Sequence, residues 1–339
     1  MSLLPALAPW QQRAYAQAVE AIDAGHFGHA TLFCGPHRIG KRLLAETLAR
    51  RVLCQSRDAA GEACGRCKGC LLFASRSQME TLETRPDGEP AQPWGHSAHP
   101  DLFFVGYEIN PKSGKPRTEI IIDQVRALSE RMGLTSQLGG AQVVVVDPAN
   151  GVNWHAWNAI LKTLEEPQPG RYLWLLADNP GRLPATIRSR CQRLDIRLPP
   201  REEALAWLGQ RGHAAAAAAD ALDAARGHPG LADDWLSGDG MALRRSVADD
   251  AGALQRGQAD AIEVARRWAA DGRAGERLAH LAELALAQAA ADPAAIRGQA
   301  ARFDAANRAR ELLRSTVRAD LAVAESLLPW CQGQGGRRE

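Results

Sequence analysis

The sequence lacks any apolar run long enough to cross a bilayer; none approaches the roughly 18 consecutive residues a spanning helix requires. Its first residues, Met1-Ser2-Leu3-Leu4-Pro5, lack the cationic stretch and apolar core of a secretion signal, so the expected compartment is the cytoplasm. It also lacks an excess of charge. With 41 Lys and Arg against 39 Asp and Glu, the formal net charge is +2, so any contact with DNA must come from a local patch. The nine histidines form no HExxH or similar metal pair. Beyond residue 200 no segment reads convincingly as a strand.

What is present supports a sizeable fold. The 339 residues, 45% of them hydrophobic, suffice for two or three domains with separate cores. The seven cysteines are unevenly placed: Cys54, Cys64, Cys67 and Cys70 crowd together, while Cys34, Cys191 and Cys331 stand alone. The singletons read as small apolar residues. In a reducing compartment the cluster points to metal sooner than to disulfides.

Helical spacing over Pro9 to Ala24, the apolar run Ala30 to Cys34, the glycine-bounded turn Gly35 to Gly40 and the helix formers Lys41 to Leu53 predict helix, strand, loop, helix. Val143 to Val146 and Tyr172 to Ala177 read as buried parallel strands, and Asn153 to Leu164 as a helix. Together they predict an open α/β sheet covered by helices. Ser77 to Lys115 has little periodicity, and within it Gln78 to His96 reads as an insertion loop. Pro199-Pro200 marks a boundary, and Ser237 to Gly240 a second. The expected division is 1–198, 199–240 and 241–339, with Ala214 to Ala219 helical and the tail from Gly333 without order.

Gly35-Pro-His-Arg-Ile-Gly40-Lys41-Arg42 fits a phosphate loop until its last position. Such a loop needs glycines to turn backbone N–H groups onto the anion, a lysine for the outer phosphates and a hydroxyl to ligate Mg²⁺. Gly35, Gly40 and Lys41 are present, but Arg42 replaces the hydroxyl and would repel the ion. The strand Val143 to Val146 ends in Asp147-Pro148, where an active enzyme has Asp-Glu; Asp147 retains a metal-binding carboxylate, but Pro148 cannot polarise water. Each loss should cost on the order of 10³ in rate or more, so no significant ATPase is expected and ATP binding is doubtful.

Cys54-x₉-Cys64-x₂-Cys67-x₂-Cys70 carries glycines that permit tight knuckles, and four thiolates suit structural Zn²⁺ with no open coordination position. An iron–sulfur cluster, disulfides or free thiols are the alternatives; Ala74, where a further ligand would fall, weakens the first.

Several strings then occur in a telling order. They are His29-Ala30-x-Leu32, the phosphate loop, the four cysteines, His99-Pro100-Asp101, Asn158-Ala-Ile-Leu-Lys162-Thr-Leu-Glu165-Glu166-Pro167 and Ser189-Arg190-Cys191. This order resembles bacterial DNA polymerase III clamp-loader subunits of the AAA+ class, over about residues 5 to 235. The resemblance implies an AAA+, P-loop NTPase-like α/β domain with an embedded zinc module, followed by all-helical domains. It implies partnership with gamma/tau-type motor subunits and a delta subunit, and through them with a sliding clamp and primer-template DNA. It implies that Arg190 acts as an arginine finger on nucleotide bound by a neighbour. Gly230, in Gly227-His-Pro-Gly230, stands where motor subunits place a sensor arginine, so the resemblance is to a member that does not hydrolyse ATP.

The remaining features have plainer readings. Lys162, Glu165 and Glu166 sit at spacing that permits a pair within their own helix, fitting it to the sheet or a neighbour. Trp94, Trp154 and Trp157 read as packing residues. Two other functions fit parts of the pattern: a working motor ATPase with an unorthodox loop, and a zinc-dependent nucleic-acid-binding module.

Overall fold

The computed structural model describes residues 4–77, 84–86, 90–166, 168–313, 315 and 317–331. Part of the expected insertion (78–83 and 87–89), Pro167 and the tail lie outside them. The chain forms two compact units: Met1–Trp207 with Gly227–Leu231, and Leu208–Arg226 with Ala232–Glu339.

The first unit runs α1 (Pro9–Asp23), β1 (Ala30–Cys34), α2 (Lys41–Val52), α3 (Lys68–Ala74), β2 (Arg76–Ser77), β3 (His96–Ser97), β4 (Leu102–Val105), α4 (Ile122–Gly133) and β5 (Gln142–Val146). It continues with α5 (Leu161–Glu165), β6 (Arg171–Ala177), α6 (Ala185–Arg188), β7 (Gln192–Asp195) and the start of α7 (Arg201–Gln210). Five parallel strands form one sheet in the order β4-β5-β6-β1-β7. Alternate residues of its central strands enter two cores. Phe33, Val143, Val145, Trp174 and Leu176 pack with α1 and α2. Leu32, Val144, Val146, Leu173 and Leu175 pack with α4 and the segment 156–164 on the other face. A strand buried on both faces must be apolar throughout, which explains the unbroken runs of β1, β5 and β6.

The helix expected over Asn153 to Leu164 forms as a 3₁₀ helix, Trp154–Ile160, followed by α5. The Asn153 side chain accepts from the His155 amide at 3.0 Å. Trp157 and Ile160, three residues apart, both enter the core, as the threefold repeat of a 3₁₀ helix requires.

The second unit is helical: α8 (Ala215–Ala224), most of α9 (Pro229–Ser237), α10 (Gly240–Gln255), α11 (Ala261–Ala269), α12 (Ala274–Ala291), α13 (Ile296–Leu312) and α14 (Ala319–Cys331). Leu254, Trp268, Leu278, Leu281, Val323, Leu327 and Trp330 form the core that joins α10 to α14. Among the described residues, no helix is long and apolar enough to cross a membrane.

Candidate functional site

Sites in parallel α/β sheets form beyond the carboxyl ends of the strands. There the phosphate loop leaves β1, Asp147 leaves β5 and Asp178 leaves β6. Gly35 is required by close approach, since a Cβ would stand 2.7 Å from the Ile196 carbonyl oxygen. Gly40 has φ +94° and lies beneath the Gln11 amide, where a Cβ would collide with it. Gln11 is buried. Its Nε2 donates to the Ile39 carbonyl at 3.0 Å and its Oε1 accepts from the Ala8 amide at 2.8 Å. Trp10 Nε1 donates to the same Ile39 carbonyl at 3.1 Å.

Lys41 turns into its own loop. Its Nζ donates to the carbonyls of Gly35 and Pro36 at 2.9 and 2.8 Å and pairs with Asp178 at 2.5 Å. Burial raises the Asp178 pKa, but hydrogen bonds from His37 and Lys41, with their charges, overcome this and hold it at about 2. The lysine charge is thus met from within the chain.

Arg42 occupies the position of the missing hydroxyl. Its guanidinium donates to Glu46 at 2.6 Å, Asp147 at 3.2 Å and Gln92 at 2.5 Å, and lies over the Phe104 ring. Asp147 also accepts from Arg85 at 2.5 Å, and the buried Glu46 from Arg76 at 2.6 Å. An unpaired buried carboxylate is costly, and an active site of this class would neutralise it with Mg²⁺. Here guanidinium groups do so. Arg85 and Gln92 come from the expected insertion, whose composition carries no signal that it folds onto the phosphate loop.

Segment Gly227–Leu231 packs on the same loop. A Cβ on Gly230 would lie 2.3 Å from the Arg38 carbonyl oxygen, so no side chain fits at the position where the resemblance expects a sensor arginine. His228, beside it, is buried and its pKa is lowered by desolvation.

The four cysteine Sγ atoms lie within 4.8 Å of one another. Cys54 Sγ is 3.6 Å from that of Cys64 and 3.8 Å from that of Cys67. A tetrahedral Zn²⁺ with bonds of about 2.3 Å sets sulfurs roughly 3.8 Å apart, so the donor set fits that ion. An iron–sulfur cluster binds its thiolates to separate irons and needs a wider spread. The amides of Cys64, Cys67 and Cys70 point at neighbouring sulfurs at 3.3 to 3.4 Å, an arrangement that favours thiolate. Cys67 caps α3. The loop is tied down by Glu62, which accepts from Tyr15 at 2.5 Å and pairs with buried Arg51 at 3.8 Å, and by Arg57, which pairs with Asp23 at 3.0 Å.

His99 and Asp101 are buried beside this module. Asp101 accepts from the amides of Gln137 and Leu138 at 2.8 and 3.0 Å and from Ser136 Oγ at 3.0 Å, fixing the turn before β5. Burial raises the thiol pKa of Cys34, and that of Cys191 to about 12, matching their reading as apolar residues; Cys331 is exposed instead.

Arg190, at the end of α6, is partly exposed. Its Nε and Nη2 donate to Glu165 Oε1 at 3.0 and 2.6 Å, and its Nη1 to the Thr186 carbonyl at 3.0 Å. Glu165 therefore pairs with Arg190, not with Lys162 as helical spacing suggested. Side-chain geometry chose a partner 25 residues away that spacing cannot show. Trp157 is core and Trp94 packs against the other core, but Trp154 is 64% exposed and is not a packing residue. It stands in line with Trp157 and Ile160 on the threefold repeat, but at the first position of the 3₁₀ helix, where it is left exposed.

The sheet, the phosphate-loop-like turn at its carboxyl edge and the guanidinium groups of Arg42 and Arg85 on Asp147 define an α/β module of P-loop type whose loop lysine and acidic residues are paired from within the chain. Residues 10–200 match the family described as DNA polymerase III, delta subunit. The chain is 37% identical over 262 residues to DNA polymerase III subunit delta' of Pseudomonas aeruginosa, covering 77% of this chain and 70% of that one. It is 32% identical over 243 residues to the Escherichia coli K12 delta' subunit, covering 70% and 64%, and 34% identical over 205 residues to that of Haemophilus influenzae, covering 60% and 54%. The chain belongs to the delta' family of DNA polymerase III subunits, within the clamp-loader group.

Proposed function

We propose that this chain is the non-hydrolysing member of a clamp loader, supplying Arg190 to nucleotide bound by a neighbouring motor subunit. The contrast between its two charged sites carries the reading. The cleft is neutralised by Arg42, Arg85 and Lys41, whereas the Arg190 guanidinium sits at the surface. An arginine acting in trans can be worth about 10³ or more in rate, because transferring phosphoryl charge needs a fixed cation. The partners are gamma/tau-type motor subunits and a delta subunit. The assembly opens a sliding clamp and places it on primer-template DNA in the cytoplasm. No ATPase of its own is required, and the degraded loop Gly35, Gly40 and Lys41 holds nucleotide weakly or not at all. Cys54, Cys64, Cys67 and Cys70 would hold one Zn²⁺, which cross-links the knuckle and leaves no coordination position for chemistry. The division 1–198, 199–240 and 241–339 gives the AAA+ domain, its lid and a collar that joins the subunits.

Reconstitution with motor and delta subunits tests the reading. Arg190→Ala should leave assembly intact and depress clamp-stimulated ATPase. Unchanged ATPase in a fully assembled loader would overturn it.

A further inference from the structure

The structure assigns Glu165 as the positioning residue of Arg190, an inference that rests on the reading of Arg190 just given. A guanidinium carries five N–H donors. Three are committed here: Nε and Nη2 to one oxygen of Glu165, and Nη1 to the backbone carbonyl of Thr186. The two anchors come from different elements, the end of α5 and the body of α6, and they hold the plane of the group from two sides. Two donors, one on each terminal nitrogen, remain for an incoming anion. An arginine on a flexible stem otherwise loses rotamer freedom when it engages phosphate, and prior anchoring removes part of that cost. Arg190 and Glu165 side chains are 36% and 51% exposed, so the pair adds little to folding stability. Its effect should therefore fall on the rate at the neighbour's site.

The test is single-turnover ATP hydrolysis by the reconstituted loader, with thermal melting and size-exclusion chromatography as checks on fold and assembly. Glu165→Ala should lower the rate at the neighbouring site about two- to tenfold, less than Arg190→Ala does. Glu165→Gln, which keeps an acceptor oxygen, should recover most of that loss. In the Arg190→Ala background, Glu165→Ala should change nothing further. An unchanged or raised rate for Glu165→Ala, beside a lowered one for Arg190→Ala, would overturn the assignment and leave the reading of Arg190 standing. A further fall in the Arg190→Ala background would show that Glu165 acts on structure alone. If Arg190→Ala itself has no effect, the reading of Arg190 fails and this inference with it.

Discussion

Arg42 Nη1 donates to Asp147 Oδ2 at 3.2 Å, joining the last position of the phosphate loop to the residue that follows β5. In a hydrolysing site of this class a divalent ion would stand between these positions. Substitution of Arg42 by Thr alone should therefore not create an ATPase, because Arg85 still neutralises Asp147 and Pro148 supplies no base. ATP turnover by Arg42→Thr should stay at background. Stability should fall by about 2 kcal/mol, since Glu46 and Asp147 each lose one of two charged partners. Urea unfolding measures the second effect.

Metal analysis of the purified chain should give one zinc per chain. A chelator strong enough to remove it should lower the melting temperature, because the ligands hold the knuckle only when bridged. Cys70→Ser should abolish stoichiometric binding and Cys34→Ser should not. Zinc well below one per chain in wild-type protein would contradict this.

Acid should weaken the second unit through His280. This residue is buried against Trp235, and burial, with the Arg244 and Arg273 charges, holds its pKa at about 4 against 6.5, although Glu276 pulls it up. The folded chain thus takes up this proton only near pH 4, whereas the unfolded chain takes it up near 6.5. Stability is complete above about pH 6.5, is lost as pH falls toward 4, and the loss levels off below that. The full effect is on the order of 3 kcal/mol. His280→Phe should remove that component, so the gap between the two chains' unfolding free energies should change from pH 7 to pH 4.5. A constant gap would refute it.

Gly230→Ala should destabilise the first unit by roughly 2 kcal/mol or more, because the new methyl meets the Arg38 carbonyl at 2.3 Å and backbone must move. Gly25→Ala is a useful contrast. There nothing lies within 4 Å, and only the strain of φ +70° is expected.

Much of the first unit was legible because β1, β5 and β6 are buried on both faces and announce themselves as apolar runs. β7, Gln192-Arg-Leu-Asp195, was missed because it is an edge strand with only Leu194 buried, so it carries no alternating pattern. β4 was hidden in a stretch that reads as loop. The cysteine cluster was legible because its ligand spacing is local. The closure of the cleft was not, because Gln11, Arg85, Gln92 and Asp178 reach it from distant parts of the chain. Two hints were available: Glu46 lies four residues from Arg42, and Asp178 directly follows a buried strand. The partner of Arg190 had no local signal at all.

The inward turn of Lys41 onto Gly35, Pro36 and Asp178 has a thermodynamic consequence. Ligand binding stabilises a folded chain in proportion to ligand excess over its dissociation constant. On the proposed reading, a phosphate loop satisfied by its own side chains gains little from this, so the stability of the fold should be indifferent to the energy charge of the cell. The chain's melting temperature should then be the same with and without ATP, so the fold would serve as a fixed reference in an assembly whose other members respond to nucleotide.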